Sequence, residues 1–244
     1  MTAGEKMKVS LIIPMYNESA IIADTAKTLS EYMSANFEKG EYEILFSDDG
    51  SRDGSADIVR GLELDGVRVV GYEQNRGKGS AVRHGVSEAC GEFVMFTDAD
   101  LAYGVDVIGR YYEFFTENRP HMMIGSRNIG NDGYEGYTWL RRIASRAYIK
   151  VLCLFGGFKL SDSQCGCKAF SKEAAKEIFS RCTTDGFAFD FEAILWAGKL
   201  KYSISELPVK IINHRESKVN VLRDSVRMLK DLIRIKKRVK KAKI

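Results

Sequence analysis

The stretch Phe93-Val-Met-Phe-Thr-Asp-Ala-Asp-Leu101 organises the reading of the chain. Glu92 to Thr97 is mostly apolar and reads as a buried strand. Two carboxylates, Asp98 and Asp100, follow it with one small residue between them. Along an extended chain residues i and i+2 share a side, so this spacing predicts that both aim at one point. Two hard anionic ligands at one point suit Mg²⁺ or Mn²⁺, with phosphate oxygens completing the shell. The same residues would also serve as a plain polar turn. The flanking segments decide between the two.

Upstream, short apolar runs alternate with helical spacing. Val9 to Ile13, stopped by Pro14, Tyr42 to Phe46, and Val67 to Val70 read as strands. Ala20 to Met33 reads as a helix, with Ile21, Ala23, Ala26 and Leu29 on one face. A second helix, capped by Asp53 or Ser55, runs to about Leu62, and a third spans Gly79 to Ala89. Strand and helix in this rhythm predict a mostly parallel sheet, whose ligands sit at the carboxyl ends of the strands. The polar motifs fall at those ends: Pro14-Met-Tyr-Asn-Glu18, Ser47-Asp-Asp-Gly-Ser-Arg-Asp-Gly54, Asn75-Arg-Gly-Lys-Gly79, and Asp98 with Asp100. Four such ends in succession predict a concave polar rim that holds a ligand. In it Asp48 or Asp49 can accept from a base N–H, and Tyr16 offers a flat face. Gly77 and Gly79 allow close approach of phosphates, and Lys78 supplies charge.

Downstream, Val105 to Thr116 reads as a helix, Met122 to Ile124 as a strand, and Asn128 to Gly136 as a mobile loop. Trp139 to Phe155 reads as a helix. It carries the apolar stripe Trp139, Ile143, Ala147 and Val151, with Arg141, Arg142, Arg146 and Lys150 largely elsewhere. That pattern fits either a membrane interface or a core-packed helix with a solvated basic side. Asp162 to Phe170 reads as a turn entering a strand, and helices follow over Ser171 to Phe179 and Phe189 to Gly198. Glu206 to Ile212 reads as a strand. A long helix from Asn220 carries Leu222, Val226, Leu229 and Ile233 on one face and a cluster of Arg and Lys at its end. Such a helix attracts anionic lipid. Nucleic acid is the weaker expectation, because no binding motif accompanies the charge.

Composition narrows the class. The 244 residues, 45% hydrophobic, suffice for a sizeable core. Five cysteines without zinc-type spacing or a secretory signal read as reduced thiols in a cytosolic protein. No run nears the roughly 20 apolar residues that span a bilayer. The expectation is a cytoplasmic protein with no transmembrane segment, peripheral on the cytoplasmic face of the membrane.

Taken together, these motifs resemble glycosyltransferase family 2. To the opening Val9 to Glu18, the Asp48 to Gly54 turn and Asp98-Ala-Asp100 are added Asn75 to Arg83, Asp162-Ser-Gln-Cys-Gly166, Gly186-Phe-Ala-Phe-Asp190, and Glu206 through Lys218. The set is similar to the dolichyl- or polyprenyl-phosphate glycosyltransferases, closest to the dolichyl-phosphate β-glucosyltransferase branch. The resemblance implies a GT-A, Rossmann-like α/β fold: a mostly parallel sheet with helices on both faces, plus C-terminal amphipathic helices. Residues 1–218 would form the catalytic domain, divided into a nucleotide-binding half, 1–101, and an acceptor-binding half, 102–218. Residues 219–244 would form a basic amphipathic helix.

The resemblance also implies roles. Pro14, Tyr16, Glu18 and Asp48 or Asp49 would hold uridine, with Lys78, Asp98 and Gln164 completing the nucleotide-sugar site. Asp98 and Asp100 would bind Mg²⁺ or Mn²⁺. Arg127, Arg215, Ser217 and Lys218 would bind donor or acceptor phosphate, and Asp162 would position the sugar or act as base. The implied reaction is inverting, metal-dependent transfer of a hexose, glucose by the branch, from a UDP-sugar to a polyprenyl or dolichyl phosphate. The branch often carries an N-terminal membrane helix, and other relatives carry C-terminal ones. This sequence shows neither, so the amphipathic helices are expected to reach the lipid. One alternative is a family 2 enzyme acting on a hydroxyl of a glycan or teichoic-type acceptor. Another, of a different class, is an inactive nucleotide-sugar-binding module.

Overall fold

Val9–Met15 is strand β1, central in the sheet. It is described, with residues 7–130, 139–213 and 221–243, by a computed structural model of the protein. Its side chains serve two cores. Val9, Leu11 and Ile13 face one side of the sheet and Ile12 the other, and all four are fully buried. A strand covered on both faces must be apolar throughout, hence the unbroken run. Burying each such side chain contributes roughly 1.5–3 kcal/mol. The strand also runs on through Pro14, which pairs in register with Ser47. Past Ile12, β1 has a strand neighbour on one side only, so the missing N–H of Pro14 interrupts no ladder.

Strands β2 (Tyr42–Asp48), β3 (Val67–Gly71), β4 (Phe93–Phe96), β5 (Met122–Ser126), β6 (Lys168–Ser171) and β7 (Ile204–Pro208) complete a seven-stranded sheet of order β3-β2-β1-β4-β6-β5-β7. All neighbours pair in parallel except β6, which runs antiparallel to β4 and β5. Against expectation, β7 stops at Pro208, and the chain then crosses to hydrogen-bond Ala102 through Ile212 N.

One face of the sheet is covered by α1 (Ile22–Asn36), α2 (Ser55–Gly61) and α4 (Asp106–Asn118). The apolar face of α1 is Ile22, Ala26, Leu29 and Met33; the helix starts at Ile22 rather than Ala20, and Ile21, just before it, packs half-buried on the same core. The other face is covered by α3 (Lys78–Glu88), α5 (Trp139–Gly156), α6 (Lys172–Arg181), α7 (Phe189–Lys199) and α8 (Val221–Lys241). The sequence sets residues 219–244 apart. In the fold Leu232, Ile235 and Val239 of α8 are buried in the same core as α7, whereas Ile233 is exposed. Helix α5 packs inward through Ile149 and Leu152, and its expected stripe of Trp139, Ile143 and Val151 faces out. The side chains of Arg141, Arg142, Leu222, Val226 and Leu229 lie outside the described set, as does most of the Asn128 to Gly136 loop. Among the described residues no helix is long and apolar enough to cross a membrane.

Candidate active site

The loops after β1, β2 and β3 are stitched to one another by hydrogen bonds. Asn17, in the left-handed region at φ 52, donates its N–H to Ser51 Oγ at 2.9 Å and accepts from Arg52 N at 2.9 Å. Glu18 N donates to Ser55 Oγ at 2.8 Å and Ser19 N to Asp53 Oδ2 at 2.9 Å. Burial alone would raise the pKa of Asp53, but hydrogen bonds from Ser55 and Ser19 hold it well below the usual carboxylate range. Tyr16 is exposed above this floor, with Pro14 and Glu18 half-buried beside it.

Asp49 is spent inside the protein. It accepts from Tyr72 Oη at 2.7 Å, Asn75 Nδ2 at 2.8 Å, Arg76 N at 2.9 Å and Gly77 N at 2.8 Å. The Asp48 carboxylate accepts only from Ser51 among the described residues, through Oδ1. Gly77 and Gly79 have a purpose the sequence did not disclose. A Cβ at Gly79 would lie 2.5 Å from Thr184 O and 2.7 Å from Phe189 Cβ. The N–H of Gly79 donates to Asp185 O at 2.8 Å. These glycines therefore let the start of α3 pack on residues 184–189, instead of cradling phosphate with those N–H groups.

That packing brings Lys78 to Asp98. The Lys78 ammonium forms an ion pair with Asp98 Oδ1. Burial alone would lower the lysine's pKa, but the charges of Asp98, Asp190 and Asp100 together raise it. One cation thus lies in the field of both Asp98 and Asp100. Strand alternation is not the cause: β4 ends at Phe96, and the chain turns through Ala99 and Asp100. The turn is fixed by Thr25 Oγ1 donating to Ala99 O at 2.7 Å and Asn213 Nδ2 donating to Leu101 O at 3.0 Å. Ala102 N donates to Asp100 Oδ1 at 3.1 Å. Gly166 leaves room here, since any Cβ on it would collide with Asp98 Oδ2. Hard oxygen donors around a stand-in ammonium fit Mg²⁺ or Mn²⁺. Among the described residues no third His, Cys, Asp or Glu joins a ligand set. The remaining positions would fall to diphosphate oxygens and water.

Two further charges at this site were given no role by the sequence. Lys168 is fully buried, 2.7 Å from Asp190 Oδ1, and donates to Cys165 O at 2.6 Å. Burial raises the pKa of Asp190, and the Lys168 and Lys78 charges offset only part of that rise. Lys168 sits in a strand among apolar residues, and only the fold brings it opposite the first turn of α7.

Arg127 and Asp162 form a buried fork. Nε of Arg127 donates to Asp162 Oδ2 at 2.6 Å and Nη2 to Oδ1 at 3.0 Å. The backbone N–H groups of Arg127 and Gln164 add bonds at 3.2 Å. Burial disfavours the Arg127 cation, but Asp162 more than compensates and keeps its pKa well above normal. Glu206, half-buried on β7, anchors the fork by accepting from Ser161 N at 2.8 Å, Ser161 Oγ at 2.7 Å and Asp162 N at 3.1 Å. Gln164 is half-buried and donates weakly to Ser163 O at 3.3 Å. Beside the fork lies a groove of about 360 Å³ lined by Asn128, Arg146, Ile149, Lys150, Cys153, Leu160 and Ser161. A larger cavity, about 430 Å³, lies away from these motifs around Glu92 and Lys172. Arg215, Ser217 and Lys218 are outside the described residues.

A mostly parallel sheet with a carboxylate turn at its carboxyl rim, followed by a second half with a buried arginine, defines a glycosyltransferase of the GT-A fold. The chain belongs to glycosyl transferase family 2, whose model matches residues 10–179. It is 31% identical to the dolichyl-phosphate beta-glucosyltransferase of Dictyostelium discoideum, over 95% of this chain and 75% of that protein. The Saccharomyces cerevisiae and Homo sapiens enzymes of that name are each 29% identical over the same shares. Among solved structures, it is similar to Mycobacterium tuberculosis glucosyl-3-phosphoglycerate synthase in complex with Mn²⁺, uridine diphosphate and glucosyl-3-phosphoglycerate. There the TM-score is 0.63 and the identity 18%, over 93% of this chain and 78% of that one. Mannosyl-3-phosphoglycerate synthase of Rubrobacter xylanophilus gives 0.60 and 20%, over 94% and 72%. These structural likenesses show the fold alone.

Proposed function

We propose that the protein transfers glucose from UDP-glucose to a polyprenyl phosphate of the dolichyl type, with inversion at the anomeric carbon. Similarity over 95% of this chain to dolichyl-phosphate beta-glucosyltransferases supports the sugar and the acceptor. The observation that carries the acceptor class is the Arg127–Asp162 fork beside the groove. Ile149 and Leu160 give that groove an apolar lining and Arg146 and Lys150 give it cations, a combination that suits a phosphate on a hydrocarbon chain. A hydroxyl acceptor would need a general base. Asp162 is poorly placed for that, because both its oxygens are engaged by Arg127.

On this reading Asp48 and Tyr16 hold the uracil and Lys78 meets the diphosphate. Asp98 and Asp100 hold Mg²⁺ or Mn²⁺, which offsets the charge on the departing UDP. Arg127, held by Asp162, draws the acceptor phosphate in against the repulsion of the donor. A phosphate monoester is already anionic near neutral pH and needs little deprotonation. The outward face of α5, with Trp139 68% and Leu154 87% exposed beside Arg146 and Lys150, would lie against the bilayer that holds the acceptor.

The test is incubation of the purified chain with labelled UDP-glucose, Mg²⁺ or Mn²⁺, and vesicles containing polyprenyl phosphate. Label in an organic-soluble, mild-acid-labile product is expected. Label appearing only in a water-soluble or acid-stable product would overturn the acceptor assignment.

A further inference from the structure

Resting on that reading, we infer that Lys78 is a tethered cation that occupies the divalent-ion position at Asp98 until metal and donor arrive together, and then turns to the donor diphosphate. The ammonium is on Asp98 Oδ1, one of the two carboxylate oxygens that Asp98 could offer a metal. Its backbone is anchored: Gly77 N is bonded to Asp49 at 2.8 Å and Gly79 N to Asp185 O at 2.8 Å, at the first turn of α3. The four-carbon arm beyond that anchor is partly exposed, at 23%, so it can swing while the helix stays put. A second acceptor stands near it. Asp190 acts electrostatically on the same ammonium, and its Oδ1, although 2.7 Å from Lys168 Nζ, has no donor aligned on it as a hydrogen bond.

The charges explain why the swing would be coupled to both ligands. Three carboxylates, Asp98, Asp100 and Asp190, face two ammoniums, Lys78 and Lys168, leaving one net negative charge. A divalent ion alone reverses that sign and competes with Lys78 for Asp98. A diphosphate arriving with the ion restores the negative balance and gives Lys78 a new partner. Metal and nucleotide therefore each strengthen the other's binding, by the same factor in both directions.

The experiment is a Mn²⁺ titration of the full chain, with free aquo-Mn²⁺ read by electron paramagnetic resonance, with and without UDP. Wild type is expected to bind Mn²⁺ weakly alone and tightly with UDP. Lys78→Met removes the competitor and should tighten nucleotide-free Mn²⁺ binding by about tenfold or more, while shrinking the gain from UDP. Lys78→Arg keeps a cation and should remain weak. If Lys78→Met leaves nucleotide-free binding unchanged or weaker, the inference is overturned; Lys78→Gln serves identically should the methionine variant not fold. Asp98→Asn tests the underlying reading separately. It should abolish Mn²⁺ binding whatever stands at position 78, and retained wild-type affinity would place the metal elsewhere.

Discussion

The Asp49 carboxylate accepts four hydrogen bonds at or under 2.9 Å from residues 72–77, whereas that of Asp48, its neighbour, accepts only from Ser51 among the described residues. The sequence left the uracil ligand open between them, because two adjacent carboxylates in a turn look alike until their partners are known. The two should therefore separate under mutation. Asp49→Ala strands the N–H groups of Arg76 and Gly77 and should destabilise the fold by about 2–4 kcal/mol. Asp48→Ala should cost under about 1 kcal/mol of stability but weaken UDP binding about tenfold. Thermal melts and UDP titration calorimetry on both variants check this. Asp162 is the second case. Its match to the family allowed a base or a positioning group, and the fork with Arg127 favours positioning. Asp162→Asn should lose about 3 kcal/mol of stability, as expected for a broken buried pair. Transfer should fall about a hundredfold through misplacement of Arg127, with the pH–rate profile keeping its shape. A missing acid limb in that profile would instead mark Asp162 as the base.

At the level of elements, α5 shows what periodicity conveys and what it omits. Helical spacing placed a helix over Trp139 to Phe155, and it runs over Trp139–Gly156, because spacing depends only on the 3.6-residue repeat. It could not say which apolar stripe faces the core, since the helix has two. The inner one is built on Ile149 and Leu152, and the outer one carries Trp139, Ile143, Val151 and Leu154. Leu154→Glu should leave the melting temperature within about 2 °C, its side chain being almost wholly exposed. It should lower partitioning onto anionic liposomes about tenfold or more. Co-sedimentation measures the effect, and unchanged partitioning would remove α5 from the membrane contact. Strand β6 teaches the converse. Its antiparallel direction depends on pairing with β4 and β5, and nothing local in Lys168 to Ser171 encodes a direction.

In the whole molecule, the C-terminal helix is wired to the centre of the catalytic body. Arg238 of α8 pairs with the fully buried Glu192 and reaches Thr184 Oγ1 at 3.2 Å. Lys199 donates to the Ala242 carbonyl at 2.5 Å at the end of that chain segment. Glu192 also accepts from Thr183 N and Thr184 N, in the segment on which the start of α3 rests. Arg238→Met should therefore destabilise the whole domain by about 2 kcal/mol, because Glu192 keeps its amides but loses its countercharge. Chemical denaturation measures this, and an unchanged midpoint would make α8 a mere appendage. The sequence alone determined the order of strands and helices, the polar rim at the strand ends and the carboxylate turn, because periodicity and turn chemistry are local properties. Only the tertiary structure decided that Lys78 rests on Asp98, that Arg127 is gripped by Asp162 and Glu206, and that Lys168 meets Asp190. Those are encounters between residues remote in sequence, and the energy of a buried charge is set by whichever partner the packing brings to it.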